Sequence, residues 1–175
     1  QLFDFDLDYL GDGDFAEFSL GSGGERMMTV RPGSYSLNEL VPAGWALTGS
    51  ACKGGESVRL DGGDDHAVVA VRYGDNVVCT FTNELLPTIT VEKTANASGS
   101  FEFTLSTEGR SNTQPVATGG SYTWTVVPDV YNLVEEVPLG AYWSFTGVEC
   151  EGIEEGELLD DGAAFWVGYG DEVTC

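Results

Sequence analysis

Few residues in this chain are of a type that does chemistry, and their spacing narrows the options. His66 is the only histidine. With no histidine partner, a zinc site or a Ser–His–Asp triad has almost nothing to work with. The four cysteines, Cys52, Cys79, Cys150 and Cys175, include no CxxC spacing for metal or thioredoxin chemistry. Asp6, Asp8, Asp12 and Asp14 stand in "DLDYLGDGDF", residues 6–15. Oxygen-rich glycine loops hold calcium, but this spacing is not that of an EF-hand loop and no acid sits at the bidentate end position. Solvated turn acids are the preferred reading, so no metal and no cofactor is assigned. "LDGGDDH" (60–66) and "LDDG" (159–162) are weaker versions of the same signal. What remains is a pair of glutamates, Glu39 and Glu135, each set among apolar residues in a motif that the chain writes twice.

The motif is "YSLNELVPAGW" (35–45) and "YNLVEEVPLGAYW" (131–143). Tyr35, Leu37, Glu39, Pro42 and Gly44 have counterparts at Tyr131, Leu133, Glu135, Pro138 and Gly140. The repeat extends in both directions. "FDFDL" (3–7) matches "FEFTL" (101–105), and "VRYGDNVVC" (71–79) matches "VGYGDEVTC" (167–175). Two tandem domains follow, 1–86 and 87–175. Four cysteines permit three connectivities. The repeat favours Cys52 with Cys79 and Cys150 with Cys175, since each domain must close itself. Closing a loop of about 28 residues is worth roughly 3–4 kcal/mol in the chain-entropy model. Disulfides also place the protein outside a reducing cytosol.

The elements that must carry these residues are strands. Phe3, Phe5 and Leu7 alternate with acids, and Phe101, Phe103 and Leu105 repeat the pattern. Ile89, Val91 and Lys93 alternate with Thr90 and Glu92; Tyr122, Trp124 and Val126 alternate likewise. Period-two alternation of β-branched and aromatic residues marks a strand with one buried face. Twenty-four glycines punctuate the runs as turns, and no stretch shows a capped period of 3.6. The expected architecture is all-β: two tandem Ig-like antiparallel sandwiches, joined by a short linker with Pro87 at its centre.

Composition excludes several partners. The chain of 175 residues carries 29 acidic and 7 basic side chains, a net charge of -22. Nucleic-acid binding and an anionic membrane surface both need the opposite sign. Yet 42% hydrophobic and 11% aromatic residues exceed what a disordered acidic tail contains. No apolar run has the length of a membrane span and no signal peptide is visible. Glutamine at residue 1 suggests a processed or excised product. Trp45, Trp124, Trp143 and Trp166 are expected in packing rather than on a sugar platform, and Asn96-Ala-Ser98 is a glycosylation sequon.

Tyr-x-Leu-x-Glu-x-x-Pro-x-Gly resembles the E-box of Cna B-type (SpaA-like, prealbumin-like) domains of bacterial surface adhesins and pilins. "TITVEK" (88–93) resembles that family's first strand and "CTFTN" (79–83) its last. The paired cysteines resemble those of tandem repeats in large secreted bacterial proteins. In many such domains a first-strand lysine and a last-strand asparagine fuse into an isopeptide bond, with the E-box glutamate shuttling protons. The resemblance assigns those roles to Lys93, Glu135, Glu39 and Asn83. It also implies that domain 1 lacks a first strand before Gln1 and that domain 2 lacks a last strand after Cys175. Neither domain then holds a full Lys–Glu–Asn set. The other reading of Glu39 and Glu135 is structural: each accepts backbone hydrogen bonds at a strand bend.

The expected function is non-catalytic. The chain reads as an extracellular, cell-surface structural repeat of a stalk, fibre or filament, with neighbouring repeats or identical subunits as partners, head to tail. Two alternatives stand: an adhesin with a glycan or host ligand, and a pilin-like subunit with isopeptide chemistry. Neither nucleic acid nor membrane insertion is expected.

Overall fold

A computed structural model of the chain describes residues 1–10, 15–54, 57–59, 66–137 and 143–175. The described residues are strands and their connections, with no helix among them. They separate into two compact units, Gln1–Glu84 and Leu85–Cys175.

The first unit contains β1 (Leu2–Tyr9), β2 (Phe15–Gly21), β3 (Gly33–Leu40), β4 (Trp45–Lys53), β5 (Ser57–Arg59), β6 (His66–Val71) and β7 (Val78–Leu85). One sheet runs β2-β1-β3-β6-β5, and β4 pairs with β7 in a second. Alternation sets the inward faces. Phe3 and Phe5 on β1, Tyr35 on β3 and Ala67 and Val69 on β6 are buried, while Asp4 points to solvent. Trp45 meets Phe3 edge-on at 5.3 Å, and Phe81 of β7 meets Phe5 at the same distance. Such edge-to-face pairs add to the area that the rings bury.

The second unit contains β8 (Thr88–Glu92), β9 (Ser100–Thr107), β10 (Arg110–Ala117), β11 (Ser121–Thr125), β12 (Asp129–Glu136), β13 (Gly156–Leu159), β14 (Gly162–Val167) and β15 (Glu172–Thr174). Its larger sheet, β10-β9-β12-β14-β13, repeats the strand order of the first unit. The opposing sheet is β11-β8-β15, with β8 central, antiparallel to β11 and parallel to β15. The last described strand of this unit is the short β15, which ends beside Cys175. Ile89 and Val91 of β8 and Val173 of β15 are buried against Phe101, Phe103, Leu105, Leu133 and Phe165.

Cys52 is bonded to Cys79 and Cys150 to Cys175, each with an S–S distance of 2.03 Å. Gly54 and Gly152, each two residues past the first cysteine of its pair, have φ of 94° and 81°. A Cβ at either would lie 2.0 Å from a carbonyl oxygen, of Asn76 or Glu172. Only glycine fits, because the left-handed conformation and the close strand approach both exclude a side chain.

Candidate functional site

The twice-written motif becomes one strand in each unit, β3 and β12. Its period of two puts tyrosine, leucine and glutamate on a single face. Tyr131, Leu133 and Glu135 are all buried, as are Tyr35 and Glu39. The two glutamates hold the same register: Glu39 is opposite Phe5 of β1, and Glu135 opposite Phe103 of β9. Each tyrosine hydroxyl donates to a backbone carbonyl four residues upstream, Tyr35 to Arg31 at 2.7 Å and Tyr131 to Val127 at 2.9 Å. A buried phenol needs such an acceptor, and the bond ties the strand to the segment before it. Burial is the main cause that raises the Tyr131 hydroxyl above its ordinary value. Gly44, with φ of 84°, forms the turn after Pro42, whose carbonyl accepts from the Trp45 amide. Pro138 and Gly140 lie outside the described residues.

In the second unit the glutamate has a cation. Lys93 directly follows β8, and its Nζ donates to both carboxylate oxygens of Glu135, at 2.7 and 2.8 Å. The side chains are 13% and 6% exposed. The ammonium also sits 4.3 Å from the centroid of the Phe101 ring. Two backbone bonds fix the lysine: its N–H donates to Gly120 O and its carbonyl accepts from Gly119. Charge, hydrogen bonding and ring quadrupole therefore all favour one placement of Nζ.

In the first unit the equivalent glutamate has an amide. Asn83, on the inward face of β7, donates from Nδ2 to Glu39 Oε1 at 2.6 Å. Glu39 is 3% exposed. Its Oε2 and the Asn83 Oδ1 are buried with no hydrogen-bond partner among the described residues. Burial raises the Glu39 carboxyl above its ordinary value, and the Asn83 bond partly offsets this. The bend reading expected backbone amides on these glutamates. The partners found are side chains, Lys93 and Asn83. Lys93 and Glu135 thus meet in one unit and Glu39 and Asn83 in the other, so each contact contains two of the three roles that the resemblance names.

The other candidates are placed as follows. Asp6 and Asp8 lie on strand β1 rather than in a glycine loop, and Asp12 and Asp14 lie outside the described residues. Among the described residues no three His, Cys, Asp or Glu side chains gather as metal ligands. The side chain of His66 and residues 60–65 also lie outside what is described. Trp124 is buried with Nε1 bonded to Asn112 Oδ1 at 3.0 Å; Trp45 and Trp143 are half-buried against Phe3 and Phe101. Trp166 is 46% exposed on β14. Asn96 is exposed between β8 and β9. No described helix is long and apolar enough to cross a membrane.

The repeated Tyr–Gly–Asp stretches are turns with a specific cap. Asp75 Oδ2 accepts from the Arg72 amide at 2.9 Å and Asp171 Oδ2 from the Gly168 amide at 2.7 Å. Gly74 and Gly170 take φ of 85° and 80° at the same points. The aspartate side chain replaces a backbone acceptor, which is why the triplet recurs unchanged.

Residues 11–85 match the family described as the prealbumin-like fold domain. Among solved structures, the chain is similar to a C-terminal fragment of the pilus adhesin SpaC from Lactobacillus rhamnosus GG. Identity is 19%, with 83% of this chain and 70% of that one covered and a TM-score of 0.33. It is also similar to the major pilin from Streptococcus pyogenes, in a singly substituted mutant form. There identity is 13%, with 99% of this chain and 89% of that one covered and a TM-score of 0.27. No curated protein matches.

Proposed function

We propose that the chain is a structural module of an extracellular, cell-surface stalk, fibre or pilus-like filament, and that it does no catalysis. The observation that supports this most directly is the duplication of one disulfide-bearing unit. Both units have the same five-stranded sheet order, a disulfide at equivalent cysteines and a buried glutamate at one register position. Disulfide-bearing repeats suit an oxidising exterior. The net charge of -22 keeps such a surface soluble. The test is immunolabelling of intact source cells with antibodies raised against the chain. Extended surface structures should be decorated without permeabilisation. Labelling only after permeabilisation refutes the reading, and a glycan array with saturable binding would favour an adhesin instead.

A second reading rests on the Lys93–Glu135 contact. With an asparagine brought to this pair, Nζ attacks the side-chain carbonyl carbon, the C–N bond of the amide breaks and ammonia leaves. Glu135 would carry the proton from the amine to the departing nitrogen. Intact mass of the protein as isolated from its source decides it. A deficit of one ammonia per bond supports the reading, and an unmodified mass sinks it.

A further inference from the structure

We infer that the second unit carries a docking surface for a basic polypeptide segment, on which an arginine side chain stacks against the exposed ring of Trp166 beside Glu155 and Glu157. The inference goes beyond the structural-module reading and concerns a sheet face that this reading leaves unused.

The two copies of the repeat part company at this face. Trp166 of β14 is 46% exposed on the outer side of the five-stranded sheet, and its register partner on β12, Val130, is 53% exposed. The first unit has Ala70 and Ser34 at the same two places, themselves register partners. Two residues further on, Gly168 stands where the first unit has Arg72. A Cβ at Gly168 would lie 2.5 Å from Cη2 of Trp166, so the indole lies over bare backbone. Three changes at one spot thus bring in an indole, a valine beside it and a glycine that makes room for the ring. A cross-strand pair of indole and valine steadies a sheet. That role alone leaves a large apolar ring in water, on a face where the first unit places alanine.

The surroundings of the ring select the occupant. Gly156 is opposite the buried Phe165, so Glu155 and Glu157 on either side of it face outward with Trp166 and Ala164. The Trp166 amide donates to the Glu155 carbonyl at 3.2 Å, which sets these two residues side by side. Both glutamates are exposed, and segment 149–161 holds seven carboxylates and no lysine or arginine. An indole face attracts a cation through its quadrupole, and carboxylates beside it attract the same charge. A guanidinium meets both demands: its plane stacks on the ring while its edge N–H groups donate to carboxylate oxygens. An ammonium is more strongly hydrated and presents no plane to stack. A neutral sugar would cover the ring and gain nothing from the charges. A second copy of this chain, with a net charge of -22, is repelled, so the occupant is a different and basic polypeptide.

The probe is a synthetic peptide, acetyl-TRTRTRT-amide, added to the intact protein, with lysine and citrulline forms of it as controls. Citrulline keeps the shape of arginine without the charge. Nuclear magnetic resonance follows the indole N–H signals of the four tryptophans, and the one missing from Trp166→Leu belongs to Trp166. The arginine peptide should shift that signal and the amides of Gly156–Leu159, while the amides of His66–Val71 in the first unit stay in place. Affinity should fall at least about threefold in Trp166→Leu, which keeps an apolar partner for Val130, and by a similar factor in Glu155→Gln with Glu157→Gln. The lysine peptide should bind more weakly than the arginine one, and the citrulline peptide should leave the Trp166 signal unmoved. The peptide series leaves the protein untouched, so the result does not depend on how a variant folds. A Trp166 signal that the arginine peptide does not move overturns the inference, as does equal binding of the arginine peptide and either control. Unchanged affinity in Trp166→Leu overturns it too, because charge alone then holds the peptide. A shift of the Trp166 signal by maltohexaose but not by the arginine peptide would make the face a sugar platform instead.

Discussion

Glu135→Gln isolates the electrostatics of the buried pair, because it preserves shape and one acceptor oxygen while removing the charge. Lys93 then keeps an ammonium that is largely out of water, facing a neutral amide. Breaking one side of a buried pair costs about 3–5 kcal/mol, and losing a single charge-assisted hydrogen bond about 1.5–3 kcal/mol. The lysine retains a little solvent access and the Phe101 ring face, at 13% side-chain exposure and 4.3 Å. The expected loss therefore lies where these ranges meet, at about 3 kcal/mol. For a unit of this size that corresponds to a fall in Tm of about 12–24 °C. The double variant Lys93→Met with Glu135→Gln removes both charges, so most of the loss should return. Native-state hydrogen exchange in increasing urea is the assay, with peptides of Gln1–Glu84 as the internal control for those of Leu85–Cys175. A single-variant loss below about 0.5 kcal/mol would place the pair among weak surface bridges and refute the reasoning. So would a double variant as unstable as the sum of the single ones.

Other outcomes follow from the same contacts. Burial holds the Glu39 carboxyl above its ordinary value in the folded chain, so the folded state keeps that proton after the unfolded chain has lost it. This contribution is present below the ordinary carboxylate value and is lost as pH rises through the raised one. Exchange-monitored unfolding of the first unit should show this slope, and Glu39→Gln should flatten it. Gly54→Ala and Gly152→Ala should each destabilise their own unit by more than about 1–2 kcal/mol in urea titrations, since both left-handed backbone and a carbonyl contact oppose the methyl. Sodium chloride should raise Tm by screening the net charge of -22. Calcium and magnesium at matched ionic strength should act alike, and a calcium-specific rise would restore a metal site near Asp6 and Asp8.

The all-β class was legible because strand alternation is local. Phe3, Asp4 and Phe5 announce buried, exposed and buried positions within three residues, and the strand delivers them. Asp6 and Asp8, read as turn acids, lie on the same strand, because the alternation of Phe3, Phe5 and Leu7 runs on through them. The glutamate partners were less legible. Glu135 and Lys93 are 42 residues apart, and no local rule brings the end of β8 to the inner face of β12. The resemblance supplied that pairing, while physical reasoning on the residues alone favoured backbone donors. For Gly54 and Gly152 the one signal in the sequence is Cys-x-Gly at Cys52 and Cys150, present in both copies. Their requirement comes from a carbonyl on a segment about twenty residues away in the chain, which periodicity does not encode. The placement of β8 between β11 and β15 is likewise a matter of long-range closure.

The parallel pairing of β8 with β15 has a mechanical consequence. Tension applied at Leu85 and Cys175 pulls the two strands lengthwise past each other, since the loaded ends lie at opposite ends of the pair. The bonds Thr88 N–H to Asp171 O, Cys175 N–H to Thr90 O and Glu92 N–H to Cys175 O, at 2.9, 2.9 and 2.7 Å, lie across that pull. They share the load and must fail together, whereas a hairpin pulled at its open end unzips one rung at a time. If the pair does yield, the Cys150–Cys175 bond carries the force past the 25-residue separation that it spans. That segment, about 80–90 Å when extended, is never released. The second unit would thus behave as a rope with a knotted end: stiff until rupture, and then limited in how far it can stretch.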